Sequence, residues 1–188
     1  MNQSLITPAD ALIESARLEM PLLSLAQLDA IASGETSPLA NELGAAFGAE
    51  FSAEWLEQVV WLAGFRARQL RERPKDEPWL LRPIIRDEDG SAREAIGYLN
   101  FHAAPDQHGM VEIGYTLLPA ARGRGYAIEA VRAAFDWATR VHGVRRFRAS
   151  VAPGNERSLN LIGKLGFTRT GEQWDERDGL ELVFELEV

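Results

Sequence analysis

The stretch Val111–Ala127, VEIGYTLLPAARGRGYA, decides the fold. Val111, Ile113, Tyr115 and Leu117 alternate with Glu112, Gly114 and Thr116. That period of two, rich in β-branched and aromatic residues, predicts a strand. Pro119 ends it, because proline has no N–H to give to a sheet ladder. Arg122-Gly123-Arg124-Gly125 then runs directly into an apolar helical repeat. A strand, a glycine-rich turn and a helix start leave several backbone N–H groups aimed into one concavity. Those donors, with the positive end of the helix dipole, make an anion site, normally one for phosphate.

Working outward, Trp79–Arg86, Ala95–Phe101 and Met110–Leu118 read as three successive strands. Turns at Asp89-Gly90 and Pro105–Gly109 make an antiparallel meander the economical arrangement. Tyr126–His142 is a helix with Ile128, Val131, Phe135, Ala138 and Val141 on one face and Gly143 beyond its end; the dipole accounts for His142 there. Phe147–Val151 follows this helical crossover and should lie parallel to 111–118. Asn155–Leu165 is a short helix closed by Gly166, with Phe167 packing back, and Phe167–Trp174 and Leu180–Glu187 form a last hairpin around Asp178-Gly179.

Upstream, Leu12–Met20 reads as one first strand. Ser24 and Gln27 form a capping box, with Leu23 and Leu28 as a hydrophobic staple and Gly34 as the stop. Residues 35–50 read as a loop with one short helical turn. Ser52 caps a stronger helix, Phe51 and Leu56 being its staple; Trp55, Val59, Leu62 and Phe65 give its apolar stripe. Arg66, Arg68, Arg71 and Arg73 suit the negative end of that dipole, and Pro74 and Pro78 stop the helix. No repeat or interdomain linker interrupts the chain, so residues 1–188 are expected to form one domain.

Composition narrows the function. The absence of cysteine excludes disulfides, thiolate catalysis and Cys-ligated metals, and fits a cytoplasmic protein. No apolar run has membrane-spanning length, and no signal peptide is recognisable. The net charge of −8 is uneven: residues 1–50 hold seven acids and one base, and 168–188 seven acids and two bases, so the middle is slightly basic. That distribution argues against nucleic acid and suits an anionic cofactor beside a cationic second ligand. The run Arg145-Arg146-Phe147-Arg148 is explained as a strand with solvated alternate residues. His102, His108 and His142 lack metal-ligand spacing, so no metal is expected; His102, at a strand end, could face substrate.

The loop itself excludes two nucleotide motifs. From Gly123 the pattern is Gly-x-Gly-x-x-Ile, so the third glycine of the dinucleotide fingerprint is absent, and no acidic residue closes the following strand. A P-loop needs a Gly-Lys-Ser/Thr that does not follow. What the loop does resemble is the R/Q-x-x-G-x-G/A motif of the GNAT family of acetyl-CoA-dependent N-acetyltransferases, through Arg122-Gly123-Arg124-Gly125-Tyr126-Ala127. Asn155-x-x-Ser158 followed by Leu165-Gly166-Phe167 resembles that family's helix after the fifth strand. The combination is similar to the branch that acetylates ribosomal-protein N-termini.

The resemblance implies an α/β GNAT fold, with a mixed, mainly antiparallel sheet flanked by helices. The acceptor would bind the half about 1–94, and acetyl-CoA the half about 95–188. In this family two central strands, here 110–118 and 147–151, splay apart. Thr116, Leu117 and Leu118 would offer a strand edge to the pantetheine arm, and main-chain N–H groups from Arg122 to Ala127 would hold the pyrophosphate. Glu112 stands where some members carry the general base. Ser158 stands where the ribosomal branch meets the departing thiolate; the tyrosine that many other members carry four residues later is Ile162 here. Asn155 is a natural N-cap that could also touch the cofactor, and Arg157 and Lys164 could reach its phosphates.

Three functions stay open on these residues. The first is acetyl transfer by direct attack of an amine, with a protein N-terminal α-amine as acceptor. The second is the same reaction on a polyamine or aminoglycoside. The third is a non-catalytic acyl-CoA sensor. A homodimer is compatible with the sequence.

Overall fold

The computed structural model describes residues 6–47, 53–88 and 90–188. A helical turn α1 (Pro8–Ala11) leads into β1 (Leu12–Glu14) and β2 (Leu18–Pro21), then α2 (Leu25–Ala32), α3 (Ser37–Leu43), β3 (Ala46–Phe47) and α4 (Ala53–Glu72). A 3-10 turn, Pro74–Trp79, precedes the meander β4 (Arg82–Arg86), β5 (Glu94–Phe101) and β6 (Met110–Leu117). After it come α5 (Tyr126–His142), β7 (Arg146–Val151), α6 (Glu156–Leu165), β8 (Thr168–Asp175) and β9 (Gly179–Glu187). The strand order is β1-β2-β4-β5-β6-β7-β9-β8, with the short β3 beside β5. Along that order every pairing is antiparallel except β6 with β7, as the helical crossover requires.

Two apolar layers clamp the sheet. The larger packs α5 and α6 against β1, β2 and β4–β7, through Ile84, Leu99, Phe101, Val111, Ile113, Val131, Phe135 and Phe147. The smaller joins α2, α3 and α4 through Leu23, Leu28, Ile31, Leu39, Ala63, Ala67 and Leu70. In β5 the alternation divides the strand between them: Leu99 and Phe101 join the α5 side, while Asn100 meets α4. Ser24 caps α2 as expected, its side chain accepting from the Gln27 N–H while Gln27 reaches back to the Ser24 N–H. Gly166 closes α6 in the left-handed conformation, and the Phe167 N–H donates to the Ile162 carbonyl.

Four expectations need correction. Leu12–Met20 is a tight hairpin, because Ser15 folds back to accept from the Leu18 N–H and fix the turn. The 35–50 stretch holds a full helix, α3, ended by left-handed Gly44, and a two-residue strand. Trp79 lies in a 3-10 turn and β4 begins at Arg82, whose buried guanidinium donates to the carbonyls of Met20, Asp10 and Pro78. His142 is more than a dipole partner: it sits 2.8 Å from buried Asp10 and packs on Trp79 and Trp137. The Ser52 cap lies outside the described residues, as do Phe51 of its staple and Asp89 of the turn.

Candidate active site

The sheet opens where the decisive stretch begins to turn. β6 pairs with β7 only over Met110–Glu112 against Arg146–Arg148. Beyond that point β6 stays with β5 as far as Leu117, and β7 stays with β9 as far as Val151. The β7-facing edge of residues 113–117 is therefore left without a strand partner, and a cavity of about 690 Å³ fills the gap. Its walls are Tyr115, Thr116 and Leu117 of β6, Arg122, Gly123 and Gly125 of the loop, Tyr126 and Ala127 of α5, and Asn155 and Ser158 of α6. Arg157 and Lys164 add cationic groups on the α6 side.

Backbone geometry explains the glycines. Gly123 and Gly125 have φ of 77° and 85°, a region where a Cβ is strained. Gly125 starts α5 with no side-chain cap, so the first-turn N–H groups remain available to a ligand anion. The loop is held from both sides. Arg122 Nε donates to the Leu117 carbonyl at 2.9 Å, and Arg17 donates to the Arg124 carbonyl through both terminal nitrogens at 3.3 Å. Arg17 is fixed in turn by Glu129 at 2.6 Å and by stacking on Tyr126, whose hydroxyl donates to Glu88.

Across β6, away from the α5 layer, lies a polar cluster. The Ser150 hydroxyl donates to Glu112 Oε1 at 2.6 Å, and His102 Nδ1 stands 3.7 Å from the same oxygen. Gln173 bridges Ser150 and Glu181. Burial and the nearby Arg66 cation push the His102 pKa below its ordinary value, against the pull of Glu112, Asp175 and Asp178. The imidazole is therefore neutral at neutral pH. Burial raises the Glu181 carboxyl, with Glu112, Asp175 and Asp178 adding to it and Gln173 opposing. Arg66, expected as a dipole partner, is instead buried: it donates to Asn100, Gln69 and the His102 carbonyl, and desolvation lowers it to about 10. Trp61 and Phe65 of α4 stack, exposed, and Arg177 from the β8–β9 turn covers Trp61 at 3.6 Å. An ammonium group would meet carboxylates and aromatic faces here.

Of the residues singled out from sequence, Thr116, Leu117, Arg122, Gly123, Gly125, Tyr126, Ala127, Asn155 and Ser158 share the cavity. Asn155 is also the cap of α6, its Oδ1 accepting from the Ser158 N–H at 3.2 Å. Leu118 and Arg124 lie off the lining. The Leu118 N–H donates to the Ile96 carbonyl, and Arg124 meets Arg17 through its own carbonyl. Glu112 sits on the other side of β6, with His102. Arg17 and Ser150 were not foreseen; both act across more than 35 residues of sequence, where local patterns carry no signal. In the sequence Tyr115 reads only as part of an apolar alternation. Among the described residues no three His, Asp or Glu side chains gather as a metal site would require.

Comparison with known proteins gives a consistent outcome. A family profile described as an acetyltransferase (GNAT) domain matches residues 25–168. The chain is 27% identical over 157 residues to the uncharacterized N-acetyltransferase YjdG of Bacillus subtilis, covering 83% of this chain and 89% of that one. It is 31% identical over 84 residues to the ribosomal protein uS5-alanine N-acetyltransferase of Escherichia coli, covering 44% and 43%. Among solved structures, Mycobacterium smegmatis RimJ in complex with CoA-disulfide superposes with a TM-score of 0.58 at 16% identity, covering 91% and 82%.

Proposed function

The chain belongs to the GNAT family of acetyl-CoA-dependent N-acetyltransferases, and on that premise we propose that it acetylates a protein N-terminal α-amine in the cytoplasm. The observation that carries the reading is the parting of β6 and β7 beside a loop rich in free N–H groups. That gap fits a long ligand with a peptide-like arm and a phosphate end. Thr116 and Leu117 would pair with the arm by strand addition, and the N–H groups from Gly123 to Ala127 would meet the pyrophosphate. Similarity to an enzyme that acetylates a ribosomal-protein alanine supports the N-terminal acceptor.

Glu112 is the general base of this proposal. Its carboxylate is fixed by Ser150 and flanked by neutral His102, so a proton from the incoming ammonium has a place to go. The free amine then attacks the thioester carbonyl in a ternary complex, and Ser158 supplies a hydroxyl on the side of the departing sulfur. Acidic Glu181, Asp175 and Asp178 draw a cationic acceptor to the Glu112 side of the sheet.

Calorimetric titration with acetyl-CoA, followed by a thiol-release screen, tests this. Peptides with free α-amines should turn over, and N-blocked copies should not. Turnover of polyamines or aminoglycosides alone would transfer the proposal to small amines, which the same acidic groups suit. A folded protein that fails to bind acetyl-CoA would sink it.

A further inference from the structure

The hydroxyl of Tyr115 is a buried polar group without a direct hydrogen bond in the protein. Such a group costs stability and calls for an explanation. The arginine nitrogens in the same position belong to guanidinium groups that bond through their other atoms, as Arg82 and Arg148 do. Tyr115 has no second polar atom to fall back on. It also lines the cavity, on the strand edge that β7 leaves uncovered. Its polar neighbour is Ser158, near enough to interact with the phenol though no bond of standard geometry closes between them. Ser158 is in turn held in place by the Asn155 cap.

We infer that Tyr115 is a further catalytic residue: its phenol hydrogen is aimed at the leaving sulfur of acetyl-CoA, with Ser158 beside it as the relay to solvent. The inference rests on the acetyl-transfer reading above. The ring packs in the α5 layer and its β6 position is fixed by pairing with Leu99, so the hydroxyl is pre-positioned. Burial holds the phenol protonated, Ser158 offsetting part of that rise. A phenol with its ordinary pKa near 10 already keeps its proton at neutral pH, and burial makes this firmer.

The amine nitrogen bonds to the carbonyl carbon, the C–S bond breaks, and sulfur leaves with the electron pair. Tyr115 gives its proton to that sulfur; Ser158 gives one to the phenoxide and takes one from water. The acceptor ammonium loses two protons over the reaction, so one is recovered as thiol and one enters solvent. Ile162, one helical turn beyond Ser158, is buried and apolar, so among the α6 residues at these two turns only Ser158 brings a hydroxyl.

The test is Tyr115→Phe. Turnover should fall about 100-fold, while the acetyl-CoA Kd moves less than threefold. Calorimetry with CoA and desulfo-CoA gives a readout apart from turnover: wild type should separate the two ligands, and Y115F should bind them alike. Wild-type turnover with Y115F unchanged in both measurements overturns the role of Tyr115 and leaves the acetyl-transfer reading standing. Failure of wild type to bind acetyl-CoA removes that reading instead. Should Y115F not fold, absorbance titration of wild-type tyrosine at alkaline pH serves in its place. CoA must shift the ionisation of one of the three tyrosines and desulfo-CoA must not; equal behaviour of the two ligands overturns the proposal.

Discussion

Ser150 Oγ donates to Glu112 Oε1 at 2.6 Å, across the point where β6 and β7 stop pairing. The bond uses one lone pair of the carboxylate and fixes its rotamer, leaving the rest of the group for an incoming amine. Glu112→Gln keeps the shape and removes the proton acceptor. Turnover should drop about 100- to 10,000-fold with acetyl-CoA affinity unchanged, as measured by steady-state kinetics beside calorimetry. An equal loss of affinity would mean that Glu112 organises the cofactor side instead.

His102 Nδ1 stands 3.7 Å from Glu112 Oε1, so a charge gained by the ring is felt at the carboxylate. Burial lowers the His102 pKa, so the ring gains its proton only below the ordinary histidine value of 6.5. Above that point the neutral ring leaves the carboxylate free for the ammonium; as pH falls through it, kcat should decline. His102→Gln removes that titration, and the acid limb should leave the histidine range. A limb that stays in place would show that His102 takes no part in the protonation that matters.

How much of this was legible follows from distance along the chain. The loop, α5, α6 and the last hairpin rest on local signals: alternation in Val111–Leu117, the glycines at 123 and 125, the Asn155 cap and the Gly166 stop. Family and fold were readable from those. The acceptor side was not, because it depends on pairs such as Arg66 with Asn100 and Ser150 with Glu112, which lie 34 and 38 residues apart. Arg66 looked like a helix-end charge, since a sequence shows its charge but not the carbonyl waiting at His102. Tyr115 was hidden by its own apolar ring. Its hydroxyl gains meaning only once the strand beside it is known to be missing.

Asp10 provides a stability test. Burial raises its pKa, but hydrogen bonds from the Thr7 side chain and N–H and from His142 outweigh that and leave it depressed. A depressed carboxyl contributes stability above its unfolded value near 3.9, and the contribution is lost as pH falls through the folded value. Denaturant unfolding should thus show stability falling below about pH 4. Asp10→Asn should be less stable than wild type by roughly 1–3 kcal/mol at pH 7, and the two should converge in acid. Parallel pH curves would remove Asp10 from the account.

Gly125 provides a test of the loop without touching any side chain in the cavity. Its φ of 85° costs a residue with a Cβ about 1–2 kcal/mol. An added Cβ would lie 3.4 Å from Arg17 Nη2, an ordinary contact, so the backbone strain and not a clash carries the effect. Gly125→Ala can relax only by turning the first N–H groups of α5 away from their present direction. Acetyl-CoA affinity should fall about tenfold, equivalent to about 1.4 kcal/mol. Gly143, also at positive φ and with open space around it, is the control: Gly143→Ala carries similar strain at the opposite end of α5 from the loop, and should lower Tm by a few degrees with affinity unchanged. If both variants bind acetyl-CoA like wild type, the N–H groups at the start of α5 are not what holds the phosphates.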